Sequence, residues 1–155
     1  MRKLAIYFLA FFLVLSGIVE FVDVSFRYLP LILSALQLVT GVILLLAGKN
    51  LKSGRHLGNL CLSILFILNG LTELTSFHFI AQSDVLTILM LITGILLLGG
   101  INSGRFSQHL GTIMLSAWLI LQALIYQIGL SFTGIYSVIA ALAIGAGVLM
   151  AMMKQ

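Results

Sequence analysis

Six long apolar stretches separated by short polar breaks run the length of the chain: about Leu4–Val22, Leu31–Gly48, Leu57–Phe77, Val85–Ile101, Leu110–Leu130 and Ile135–Met153. At about 1.5 Å rise per residue, a helical run of about 17–21 residues matches a hydrocarbon core about 30 Å thick. Helix is required in lipid, because an open strand leaves its backbone N–H and C=O groups without partners, and no alternation of the barrel kind, about ten residues long, is present. Pro30 falls where the second stretch opens, in a first turn whose N–H groups have no intrahelical acceptor. The pattern predicts an all-α polytopic membrane protein of six transmembrane helices.

The stretches also repeat. Gly17 and Glu20 recur 53 residues on as Gly70 and Glu73, and Thr40-Gly41 recurs at the same interval as Thr93-Gly94. A third copy is fainter: Gly94 maps to Gly147, Phe26 to Phe79 and Phe132, and His56-Leu57-Gly58 to His109-Leu110-Gly111, while Gly70 becomes Ala123 and Glu73 becomes Tyr126. A fixed period of this length marks an array of one supersecondary unit. Two spans return the chain to the same side of the membrane, so successive units share one orientation about an axis along the membrane normal, unlike inverted repeats. The expectation is one domain over residues 1–155, three tandem hairpins at about 1–53, 54–106 and 107–155, arranged with pseudo-threefold symmetry.

Composition strengthens the membrane assignment and charge orients it. The chain is 61% hydrophobic and 8% charged, where soluble domains are about 45–50% apolar and about 25% charged. Arg2, Lys3, Lys49, Lys52, Arg55, Arg105 and Lys154 fall at the ends and in the turns after spans two and four, and Arg27 alone lies on the other side. That asymmetry predicts a multi-pass cell-membrane protein with both termini cytoplasmic. Glu20, Asp23, Glu73 and Asp84 lie at or near the opposite ends. The net charge of +4 is therefore dipolar, suited to anionic lipid headgroups on the cytoplasmic face and not to nucleic acid. The basic, apolar N-terminus has the look of a signal peptide, but no small-residue cleavage site follows and it forms half of a repeat, so retention is expected. Cys61, the only cysteine, reads as a small packing residue.

Few residues could carry chemistry. Glu20 and Glu73 occupy one repeat position near the ends of their spans, with Tyr126 as the third member. An intramembrane acid marks a functional site by default, and convergence of these groups would make a proton- or ion-binding site. The plainer alternative is that both carboxylates are interfacial and reach water; the two readings stay open. Asn69 and Gln122 are repeat equivalents that suggest a polar layer one turn further in. With Gln37, Thr40 and Thr93, they are expected to hydrogen-bond across helices. Gly17, Gly41, Gly70, Gly94 and Gly147 are expected to serve close helix packing, and Trp118, in mid-span, reads as a packing residue. His56 and His109 are the weak metal candidates. Two imidazoles with no Cys or carboxylate beside them fall short of a closed site, so no metal or cofactor is expected. His78 stands alone. No phosphate-binding loop, nucleophile elbow, HExxH or dinucleotide fingerprint occurs, and no enzyme is expected.

The glycine-marked second arms, TGVILLLAG and TGILLLGG, with their short basic turns, resemble the layout of the bacterial HdeD-like family of small membrane proteins associated with acid resistance. The resemblance spans nearly the whole chain. With the short loops, the absence of catalytic motifs and the packing glycines, the leading expectation is a non-enzymatic membrane protein acting in envelope stress or as an accessory subunit, in a homo-oligomer or larger membrane complex. The alternative drawn from the residues themselves is a small proton- or ion-coupled transporter that uses Glu20 and Glu73.

Overall fold

The structure, a computed structural model, describes residues 2–22, 26–48, 54–75, 80–101, 109–129 and 131–152. They form six α-helices: α1 (Arg2–Val22), α2 (Leu29–Gly48), α3 (Gly54–Thr75), α4 (Gln82–Gly99), α5 (Leu110–Ile128) and α6 (Ile135–Met152). Each is long and apolar enough to cross a membrane, and the protein is an all-α, multi-pass membrane protein.

Several helices lie two or three residues earlier than the apolar runs. α3 starts at Gly54 instead of Leu57 and α4 at Gln82 instead of Val85, because a helix continues through a polar first turn that hydropathy discounts. At the other end the chain stops where capping allows. Gly129 takes the left-handed conformation (φ 63°) and its N–H bonds to the Ile125 carbonyl at 3.0 Å, ending α5 at Ile128. Pro30 lies in the first turn of α2, as its position predicts.

The helices form a closed ring. Each packs against its neighbours in sequence, and α1 packs against α6; the most extensive interfaces are α2/α3, α1/α6 and α4/α5. The remaining neighbours, α1/α2, α3/α4 and α5/α6, touch less. The glycines explain the closeness. A Cβ at Gly41 would lie 3.0 Å from the Ile67 backbone nitrogen, at Gly94 2.7 Å from Ile120 Cγ1, and at Gly147 3.2 Å from the Val14 nitrogen. On the facing arms, Gly17 lies against the Ala140 carbonyl and Gly70 against that of Ser34, at 2.8 and 2.9 Å from the position of an added Cβ. In lipid, where apolar faces gain nothing by leaving water, such backbone proximity is a main source of helix association.

The ring is filled by side chains. Leu9, Leu62 and Leu115 are buried along its interior, followed by Phe12, Leu65 and Trp118 and by Leu13, Phe66 and Leu119. Phe12 and Phe66 meet edge to face with centroids 5.2 Å apart. The outer surface carries Phe11, Leu31, Leu46, Leu71, Ile88, Ile95 and Val148, all exposed as lipid contact requires. Cys61 is a half-buried free thiol.

Candidate functional site: a carboxylate-rimmed cavity

Helical spacing builds the site. On α1, Ser16 and Glu20 are four residues apart and share one face; Asn69 and Glu73 do so on α3, and Gln122 and Tyr126 on α5. All six side chains line one cavity of about 570 Å³, at the end of the ring where α1, α3 and α5 finish. The cavity narrows in chemistry as well as depth. Glu73 and Tyr126 are exposed at the rim, Glu20 is half-buried beside them, and Ser16, Asn69 and Gln122 form a half-buried polar layer beneath. Phe12, Leu65, Phe66 and Trp118 make the floor. The candidates Glu20, Glu73 and Tyr126 thus share a cavity with Asn69 and Gln122.

Charge in this cavity has one sign. Two carboxylates line it, and among the described residues no Lys, Arg or His does. Arg27 instead lines an adjoining hollow of about 390 Å³, together with Ser34, Thr72, Glu73 and Gln82. The Glu73 carboxylate accepts a hydrogen bond from Ser34 Oγ across the α2/α3 interface, and the same hydroxyl lies 2.7 Å from the Pro30 carbonyl. Ser34 has one proton and two acceptors in reach. It can give that proton to an ionised Glu73, or give it to Pro30 and accept from a neutral carboxyl, so it serves either state. Asn69 Nδ2 donates to Gln37 Oε1 at 3.3 Å, the cross-helix bond expected of this pair.

Three buried polar atoms have no partner among the described residues: Glu20 Oε2, Gln82 Oε1 and Trp118 Nε1. Their side chains all line this cavity. A buried polar atom left unpaired costs about 1–3 kcal/mol, and three such atoms gather at this one cavity.

The opposite end is different. A smaller cavity of about 110 Å³ is lined by Asn59, Thr112 and His109 among mostly apolar residues. The buried layer of Leu9, Leu62 and Leu115 belongs to its lining, while Phe12, Leu65 and Trp118 line the larger one, so apolar layers lie between the two. His109 lines the small cavity, and the side chain of His56 lies outside the described residues, as does His78. No group of three His, Cys, Asp or Glu residues that could hold a metal ion occurs among the described residues.

Two sequence expectations change. Thr40 and Thr93 do not bond across helices: each hydroxyl donates to a carbonyl of its own helix, Leu36 O at 2.7 Å and Leu89 O at 2.6 Å. A threonine in a helix reaches the carbonyl four residues back, and this satisfies the hydroxyl where it is fully buried. Trp118 packs as expected, at 5% exposed, but its unpaired indole N–H makes it part of the site. Ser16 was recoverable, since it lies 53 residues before Asn69. Gln82 had no such signal. It enters at the start of α4, after Ala81, whose left-handed backbone (φ 68°) turns the chain into the helix beside the cavity. Searches of protein-family models, curated proteins and solved structures find no match to this chain.

Proposed function

We propose that this chain is a non-enzymatic membrane protein of three tandem hairpins about a pseudo-threefold axis, and that its carboxylate-rimmed cavity binds protons or small cations for passage across the bilayer. The observation that carries the reading is the gathering of Glu20, Glu73 and Tyr126 on one cavity without a basic residue among its described lining. Two carboxylates in a confined cleft with low-dielectric walls concentrate positive charge and hold it more strongly than in bulk water. The Ser34 hydroxyl fixes the Glu73 carboxylate in place from across the α2/α3 interface.

The threefold arrangement is supported by contacts that recur at the sequence interval. Gly41 meets Ile67, Gly94 meets Ile120 and Gly147 meets Val14, each pair displaced by 53 residues from the next around the ring. The cavity triads Phe12/Leu65/Trp118 and Ser16/Asn69/Gln122 follow the same interval. With the termini cytoplasmic, as the basic residues favour, the cavity opens on the outer face.

The test is flux. Purified protein in liposomes should carry protons or monovalent cations, and a Glu20→Gln/Glu73→Gln variant of equal thermal stability should lose that flux. Absence of flux in both, together with a constant partner co-purifying from native membranes, would instead support the envelope-stress or accessory role that the HdeD-like layout implies.

A further inference from the structure

Resting on the cation-binding reading above, we infer that the cavity takes an organic ligand: a primary or secondary ammonium ion on an apolar body that carries one hydrogen-bond acceptor at its far end, such as an aminoalkyl phenol. Size is the first reason. A proton or a bare monovalent ion needs a few ligands and a water or two, and a water occupies about 30 Å³ in the liquid, whereas this cavity is about 570 Å³. Volumes of about 300–1,000 Å³ are those of small-molecule sites.

The order of chemistry down the cavity is the second reason. Carboxylates and a phenol stand at the rim, amides and a hydroxyl lie in the middle, and aromatic and aliphatic groups form the floor. A hydrated metal ion would leave that floor facing water. Divalent ions want about six oxygen ligands, and the described residues offer no cluster of three acidic or imidazole groups. An ammonium with an apolar tail matches both ends at once, its charge between Glu20 and Glu73 and its body against Phe12, Phe66 and Leu65.

The unpaired atoms specify the rest. Glu20 Oε2 and Gln82 Oε1 are acceptors without donors, and an ammonium with two N–H groups can serve both. Trp118 Nε1 is a donor without an acceptor, on a side chain only 5% exposed, below the polar layer. One hydroxyl, ether or carbonyl oxygen on the ligand body would satisfy it. Two orphan acceptors near the rim and one orphan donor near the floor describe a single molecule better than separate ions.

Trp118 is the only tryptophan in the chain, so its emission reports on the cavity floor in the full-length protein. In nanodiscs, 4-(2-aminoethyl)phenol, whose amine and hydroxyl lie at opposite ends of the ring, should change that emission saturably. Phenethylamine, which lacks the hydroxyl, should bind about tenfold more weakly, and the uncharged diol 4-(2-hydroxyethyl)phenol about 10- to 100-fold more weakly, the losses of one neutral and one charge-assisted hydrogen bond. Glu20→Gln should weaken the amine and leave the diol unchanged. The wild-type comparison carries the test even if that variant fails to fold. Binding of the diol as tight as that of the amine overturns the inference, as does a response only to sodium or to acid, which leaves the cation-binding reading standing. No response to any organic probe, inorganic cation or pH overturns both.

Discussion

Closing the ring depends on α6 reaching α1, and Gly147 is where an added Cβ would come nearest to the backbone of the other helix. A Cβ built there lies 2.7 Å from the Ala10 carbonyl oxygen, 2.7 Å from Val14 Cγ2 and 3.2 Å from the Val14 nitrogen. Van der Waals contact is comfortable from about 3.5 Å, so Gly147→Ala forces the helices apart by about 0.8 Å at this point. Val14 can rotate away, but the Ala10 carbonyl is held by its own helix. Overpacking of this kind costs about 1–3 kcal/mol. Gly99 is the internal control: a Cβ there meets nothing within 4 Å, and alanine is favoured over glycine in a helix by up to about 1 kcal/mol. The propensity gain applies to both helical positions and cancels between them, so unfolding in mixed micelles by a denaturing detergent should place Gly147→Ala about 1–3 kcal/mol below Gly99→Ala. Equal stability of the two variants would refute the close approach of α6 to α1.

Two further predictions concern the cavity's surroundings. Ala81 holds a left-handed backbone that costs a non-glycine residue about 1–2 kcal/mol, so Ala81→Gly should raise stability by about 0.5–1 kcal/mol after the extra freedom of the unfolded chain is counted, measured by the same unfolding assay; any loss of stability contradicts the assigned conformation. Ser34→Ala and Glu73→Ala should be coupled by about 0.5–1.5 kcal/mol in a double-mutant cycle, since one removes the donor and the other the acceptor of the same bond, and strict additivity would show that the α2/α3 link does not form.

The six spans were legible because a bilayer permits few structures, and hydropathy reads directly on that constraint. The cavity was half legible. The 53-residue interval groups equivalent positions, and it put Glu20, Glu73 and Tyr126 in one set and Asn69 with Gln122 in another. An interval does not say which helix a residue faces, so the tight α2/α3, α4/α5 and α1/α6 interfaces had to come from the glycine contacts. Ser16 passed unnoticed because serine is common at helix contacts, and Trp118 because a mid-span tryptophan is normally filler. What distinguishes Trp118 is an N–H with no partner, a property of three-dimensional placement that no spacing encodes. The threonines failed for a related reason: a hydroxyl that can bond its own helix leaves no mark in the sequence when it does so.

Cysteine accessibility tests most directly whether Ser16, Asn69 and Gln122 share one water-filled, negatively charged cavity. In a Cys61→Ala background, Ser16→Cys, Asn69→Cys and Gln122→Cys are treated in intact liposomes with cationic and anionic methanethiosulfonates of similar size. All three should react, and faster with the cationic reagent, because carboxylates in a confined cleft concentrate positive charge. Leu13→Cys, fully buried and lining neither cavity, and Leu71→Cys, on the lipid face, should stay unmodified. Silence at the three polar positions, or equal rates with both reagents, would contradict the account.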